Sequence, residues 1–166
     1  FQLAIIYLLS NNFRCFEIVN KLLSSNLLTN FPTKIHPKTF RGSAGNSHDL
    51  QVNLKILEFI YEMLLYQTED EIILFNHLPP HFLNDQGVLF DIKNLRTYFG
   101  QLDFIITRSD KLINIKIETD FVKEPKEIFM NLPLNFKSLT INGKIRNNTD
   151  SLVRLPMGNV SVEVEL

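Results

Sequence analysis

The chain is 166 residues long, 45% hydrophobic and 11% aromatic, with 17 Lys+Arg against 18 Asp+Glu for a formal net charge of −1. That is one ordinary domain or two small modules, and its apolar content, 14 Phe included, excludes wholesale disorder. Balanced, interspersed charges provide no basic stripe to neutralise phosphates, so no nucleic-acid partner is expected, and no apolar run is long enough to make the membrane a partner.

Phe1 to Leu9 is apolar with Leu3, Ile6 and Leu9 in helical step, yet it has neither the charged start nor the small-residue cleavage site of a secretory leader, and no initiator Met. The expectation is a piece of a longer polypeptide that opens inside a helix. Phe13–Leu28 reads as a helix through Phe16, Val19, Leu22 and Leu23, with Asn11 or Asn12 as N-cap. The single Cys15, set among Phe13, Phe16 and Ile18, reads as a small buried apolar residue and leaves the redox compartment open.

The connection Thr29–Asn46 carries Pro32, Pro37, Gly42 and Gly45, which argues against any regular element. A second helix is expected from Ser47 or His48 to about Gln67. Leu50, Leu54, Leu57, Tyr61 and Leu64 form one stripe, and Val52, Ile56, Phe59 and Met63 cover much of the rest. A helix apolar nearly all round is buried by other protein, and two helices do not supply that cover, so further helices upstream are expected. Glu62 is then either a partnered carboxylate or the exposed strip of this helix.

Near position 70 the hydrophobic period changes from about 3.6 to about 2. Strands are expected at Glu71–Phe75, Val88–Ile92, Leu102–Thr107, Leu112–Glu118, Glu127–Leu132, Ser138–Ile141 and Val160–Leu166. Ile113, Ile115 and Ile117 alternate with Asn114, Lys116 and Glu118, and Val160, Val162, Val164 and Leu166 with Ser161, Glu163 and Glu165, as in half-buried antiparallel strands. Asn142-Gly143 signals a type I′ hairpin, and Ser109-Asp110 joins two strands tightly. The fold class expected is α+β: a helical part at 1–69, followed by an antiparallel β-sandwich at 70–166.

The densest polar cluster is His36, Arg41, Asn46, His48, Asp49, Gln51 and Asn53, at the mouth of the second helix. Helix capping by Asn46, Ser47 and Asp49 and a role facing a cleft are both open at this point. His36, His48 and Asp49 lack metal-ligand spacing. His77 and His81 are at i, i+4, but Pro79 and Pro80 forbid a helix between them, so they are expected on a loop surface. With no phosphate loop, nucleophile elbow or nucleotide fingerprint, no cofactor and no metal are expected. Asn147-Asn148-Thr149 and Asn159-Val160-Ser161 match the N-glycosylation pattern.

The run Asn53, Glu62-Met63-Leu64-Leu65-x-Gln67, Glu71-Ile72-x-Leu74, Leu78-Pro79 and Gly87 resembles the end of the (α/α)6 barrel and the start of the C-terminal β-domain in glycoside hydrolase family 95, the α-L-fucosidases and related galactosidases. Ile18-Val19-x-x-Leu22-Leu23, Asn26-Leu27-Leu28 and His36-Pro37 resemble that family's penultimate barrel helix and the loop behind it, and Gly100-Gln101-Leu102-Asp103-Phe104 sits where it has a glycine and a strand. The resemblance implies that 1–69 are closing helices of a barrel whose remainder lies upstream in the same polypeptide. It also implies a carbohydrate substrate, with His36, His48, Gln51 and Asn53 binding it, and an extracellular or periplasmic location.

One departure bears on catalysis. Where the family's helix opens with Asp-Gly-Asn-Phe-Gly, its Asp being catalytic, this chain has Gln51-Val52-Asn53-Leu54-Lys55 and matches only at Asn53. An inverting glycosidase needs one carboxylic acid for the leaving oxygen and a carboxylate to activate water, and a neutral Gln is no base. Asp49, two positions earlier, becomes the catalytic carboxylate if the loop is shifted. The family's general acid and its Asn-x-Asn pair lie upstream of this segment, so the chain alone is expected to be inactive. A non-catalytic sugar-binding or structural relative is the alternative; without Trp, its stacking surfaces would be Tyr61, Tyr66 or Tyr98. A stand-alone domain whose helices dock on another protein leaves the same apolar signal.

Overall fold

The computed structural model describes residues 50–146 and 150–166, with 14–18, 34–35, 42–44 and the single positions Ala4 and Ser10; of these, the side chains of 34–35, 42–44 and 50–53 are not described. Two compact units divide the chain, Phe1–Leu64 and Leu65–Leu166.

In the first unit, residues 14–18 are helical and bury Cys15 and Phe16. Desolvation holds the Cys15 thiol above its ordinary pKa. The rest of the expected helix Phe13–Leu28 lies outside the described residues. The connection after it contains a strand pair that its composition argued against: β1 (Lys34–Ile35) pairs antiparallel with β2 (Gly42–Ala44). Pro32 and Pro37 flank β1 instead of interrupting it, so no ladder N–H is lost.

Helix α1 spans Leu50–Leu64. It ends three residues before the expected Gln67, because Leu65–Gln67 forms strand β3, pairing with Leu74, Ile73 and Ile72. Periodicity does not see this switch, since Leu64 and Leu65 are both apolar and both buried. Phe59, Met63 and Leu64 form the buried side of α1, and the Phe59 ring stands edge-on to Phe16 with centroids 5.5 Å apart. Leu54, Leu57 and Ile60 are exposed, so α1 is not covered all round. Glu62 is half-buried; desolvation, and then the Glu58 carboxylate one turn earlier, raise its pKa.

The second unit is a β-sandwich. Its strands after β3 are β4 (Glu71–Leu74), β5 (Gly87–Arg96), β6 (Gly100–Ser109), β7 (Leu112–Phe121), β8 (Glu127–Asn131), β9 (Ser138–Ile141), β10 (Lys144–Arg146), β11 (Leu152–Leu155) and β12 (Val160–Glu165). Six strands form one sheet in the order β10-β9-β12-β7-β6-β5, with every neighbour antiparallel. The other sheet has the order β11-β8-β4-β3. There the expectation of a wholly antiparallel sandwich is corrected, because β4 and β8 run parallel. A parallel pair needs a long crossover, and here the chain leaves β4, builds β5 to β7 in the opposite sheet, and returns as β8. Besides β3, strands β10 and β11 also lie outside the expected set; they are four residues or fewer.

Alternation builds the core as expected. Leu102, Phe104 and Ile106 of β6, Ile113, Ile115 and Ile117 of β7, and Val160, Val162 and Val164 of β12 are buried, as are Ile72, Leu74, Ile128, Met130, Val153 and Leu155 of the other sheet. Each such side chain contributes about 1.5–3 kcal/mol by leaving water. Phe75, just past β4, sets its ring edge-on against Phe104 of the opposite sheet, centroids 5.2 Å apart. The Asn142-Gly143 hairpin has φ of 48° and 75°, both positive as a type I′ turn requires. Its Asn142 Oδ1 also accepts the Ser161 N–H at 2.8 Å.

Candidate functional site

His36, His48 and Asp49 lie outside the described residues, and Gln51 and Asn53 stand in the first turn of α1 with side chains that are not described. The arrangement of these five side chains therefore lies outside the described residues.

His77 is not loop surface. It is 8% exposed, and its Nε2 lies 2.9 Å from Asn76 Nδ2. With the Asn76 amide donating, Nε2 is the unprotonated ring nitrogen. Desolvation lowers the His77 pKa, so burial and hydrogen bonding both select the neutral ring. Asn131 Nδ2 donates to the Asn76 carbonyl at 3.1 Å, tying this segment to the end of β8. Pro79 and Pro80 do exclude an α-helix between the two histidines, but Pro80 opens a 3₁₀ turn, Pro80–Leu83, where its missing N–H is not needed. His81 lies in that turn against the Phe82 ring, 4.7 Å between centroids. Among the described residues no group of three or more His, Cys, Asp or Glu is arranged to hold a metal ion, and no helix is long and apolar enough to cross a membrane.

The outer face of the six-stranded sheet gathers polar side chains through register. Arg96 pairs with Gln101 and Gln101 with Asp120, so the three share one cross-strand row. The next row holds Asp103 opposite Glu118, and the third Asp91, Ile105 and Lys116. Asp91, Lys93, Asp103, Ile105, Lys116 and Glu118 line a shallow depression of about 160 Å³ on this face.

At the end of the face, the β5–β6 turn is tightly held. Thr97 N–H donates to the Gly100 carbonyl at 2.8 Å, and the Phe99 and Gly100 N–H groups donate to Thr97 Oγ1 at 3.0 and 3.1 Å. Tyr98 N–H donates to Gln67 Oε1 at 2.9 Å, so all four amides of the turn are satisfied. Phe99 is buried beneath, and its carbonyl accepts the N–H groups of Val122 and Lys123, at 2.8 and 3.1 Å, from the turn after β7. Gly100 is required there: at φ +144°, an added Cβ would lie 2.4 Å from the Asp120 carbonyl oxygen. These two turns present Tyr98, 74% exposed, and Val122, 96% exposed. Tyr98 was legible as a stacking candidate; the row beside it was not, because it exists only once β5, β6 and β7 are in register.

A larger cleft of about 430 Å³ lies along the sandwich edge, lined by Leu139, Ile141, Arg146, Val153, Arg154 and Leu155 among others. Its Arg154 guanidinium is paired with Glu127 at 3.0 Å.

Compared with protein-family models and with curated proteins, the chain finds no match. Among solved structures it is similar to the α-L-rhamnosidase from Dictyoglumus thermophilum, with 16% identity, a TM-score of 0.49 and 75% of this chain covered. The chain spans 15% of the length of that protein.

Proposed function

We propose that this chain is the C-terminal portion of a glycoside hydrolase resembling family 95, a closing helix of an (α/α)6 barrel joined to a β-sandwich, in an enzyme acting on α-L-fucosides or related galactosides. The observation that carries the reading is the order along the chain, a helix followed by a two-sheet sandwich, with the resemblance residues at the change from one to the other. The residues of the family resemblance, Met63-Leu64-Leu65, Ile72, Leu74 and Leu78, are the buried positions where α1 ends, β3 and β4 pair, and the chain enters the larger sheet. Domain boundaries at 1–69 and 70–166 belong to the same proposal, as does a location outside the cytoplasm.

In this reading Asp49, next in sequence to the start of α1, supplies the carboxylate that activates water, while His36, His48, Gln51 and Asn53 bind the sugar. The test uses the full-length polypeptide on aryl α-L-fucoside and galactoside. Turnover is expected, and Asp49→Asn should lower it by about 100-fold or more, while this segment alone should be inactive. Wild-type rates in the Asp49→Asn enzyme would remove Asp49 from the mechanism, and no release of either sugar would overturn the hydrolase reading. The presence of Gln51 in the family's Asp position favours a second reading, a non-catalytic relative that retains sugar binding.

A further inference from the structure

We propose that the Tyr98 turn, together with the outer-face row Arg96–Gln101–Asp120, is an accessory binding site for a neutral glycan chain, one pyranose ring stacking on Tyr98. The choice of a sugar as occupant rests on the glycosidase reading; the surface itself does not.

Three observations carry it. The first is exposure on a rigid support. A flat ring 74% exposed, beside a Val122 side chain 96% exposed, leaves apolar area in water. Every amide of its turn is hydrogen-bonded and Phe99 anchors the turn from below, so little backbone freedom is lost when something covers the ring. A tyrosine has only two rotatable side-chain bonds, which adds to this pre-organisation.

The second is the polar row at the foot of the turn. Arg96, Gln101 and Asp120 are exposed, stand on adjacent strands, and end in planar groups that donate, donate and accept, and accept, respectively. Planar amide, carboxylate and guanidinium groups match pairs of neighbouring hydroxyls. The face continues through Asp103 and Glu118 into the depression of about 160 Å³, giving a chain of sugars a path along the strands.

The third is charge and size. Asp120, Asp103, Glu118 and Asp91 outnumber Arg96, Lys116 and Lys93 on this face, which disfavours uronate or sulfated sugars and favours neutral ones. Two exposed apolar side chains are also too narrow a patch for a protein partner, whose interface ordinarily covers about 800 Å² per side.

The experiment is a titration of the 166-residue chain, its tyrosine rings isotopically labelled, followed by NMR. The chain has 4 Tyr and no Trp, so the ring signals are few and are assigned by substitution. The probes are L-fucose, D-galactose, a neutral galactan oligosaccharide and D-galacturonic acid. The Tyr98 ring should shift saturably with the neutral sugars, most strongly with the oligosaccharide, with a dissociation constant on the order of 1 mM, and much less with the uronic acid. Tyr98→Ala should weaken binding about tenfold and Gln101→Ala about fivefold, whereas Tyr98→Phe, which keeps the ring, should stay within about twofold. An unmoved Tyr98 signal with all probes, or undiminished binding by Tyr98→Ala, overturns the site. The two proposals fail separately. Saturable Tyr98 shifts with a full-length protein that releases no sugar leave the site standing and remove the hydrolase; turnover without Tyr98 shifts does the reverse.

Discussion

Gly100→Ala tests whether the β5–β6 turn is as tightly built as its hydrogen bonds indicate. The added methyl carbon would lie 2.4 Å from the Asp120 carbonyl oxygen, 2.8 Å from Phe121 Cα and 2.9 Å from Val122 N. All three are backbone atoms of the neighbouring strand and turn, so no flexible side chain is there to give way. Two penalties combine: an L side chain at φ +144° and overpacking, each about 1–3 kcal/mol. A loss of about 4 kcal/mol is a large share of a total stability of about 5–15 kcal/mol, and it lowers the melting temperature by roughly 10–20 °C. The assay is thermal and urea unfolding followed by circular dichroism, with Gly87→Ala as the control. Gly87 also has positive φ, +96°, but nothing lies within 4 Å of its Cβ position, so only the conformational penalty of about 1–2 kcal/mol applies. A Gly100→Ala chain melting within about 2 °C of wild type, or no lower than Gly87→Ala, would refute the close-approach argument.

The His77 ring is held neutral by burial, so the unfolded chain binds a proton there that the folded one does not. Its contribution to stability is present above the unfolded pKa of about 6.5 and is lost as pH falls below it. Urea midpoints of wild type and His77→Gln at pH 7.5 and 5.0 should show a smaller pH difference in the variant, and equal differences would count against this. Glu62 has the opposite sign. Its raised pKa means that its favourable contribution is full below the unfolded carboxyl value and fades as pH rises through the folded value, so Glu62→Gln should gain stability relative to wild type at pH 7 and not at pH 4. Asn142→Ala removes both a residue tolerant of φ 48° and the acceptor for the Ser161 N–H, and should lower stability by about 1–3 kcal/mol, read from the urea midpoint at unchanged slope.

The strands that the sequence disclosed are those with one wet and one dry face. Ile113, Ile115 and Ile117 against Asn114, Lys116 and Glu118 carry their burial in their spelling, and Ser138–Ile141 falls on its expected limits. Where pairing and not polarity decides, the spelling is silent. Leu65–Gln67 continues an apolar helix pattern and becomes a strand because β4 offers a ladder, held by a turn in which Thr68 Oγ1 accepts the N–H groups of Asp70 and Glu71 at 3.3 and 3.2 Å. Lys144–Arg146 is exposed throughout and shows no period at all. The parallel pairing of β4 with β8 is a statement about the three intervening strands and the four connections that join them, which no local window contains.

The candidate surfaces follow the same division. His77 looked like loop because two prolines stand close by, yet a proline restrains only its own φ and the residue before it. It says nothing about whether a neighbouring side chain points inward, and here the His77 ring is buried against the Asn76 amide beside it, in a segment that Asn131 at the end of β8 ties down through the Asn76 carbonyl. Tyr98, by contrast, was visible only as one of three tyrosines able to stack on a sugar in a chain without Trp, and its neighbour Phe99, also aromatic and in the same turn, is buried. What gives Tyr98 a use is the register that sets Gln101 between Arg96 and Asp120 on neighbouring strands. A one-residue slip of β7 against β6 would bury Asp120 and bring Phe121 to the outer face, so the hydrophobic core that fixes the register also assembles the polar row. The surface beside Tyr98 is thus a product of core packing on the opposite side of the same sheet, and a substitution such as Ile115→Asn should disturb it as surely as a change within it.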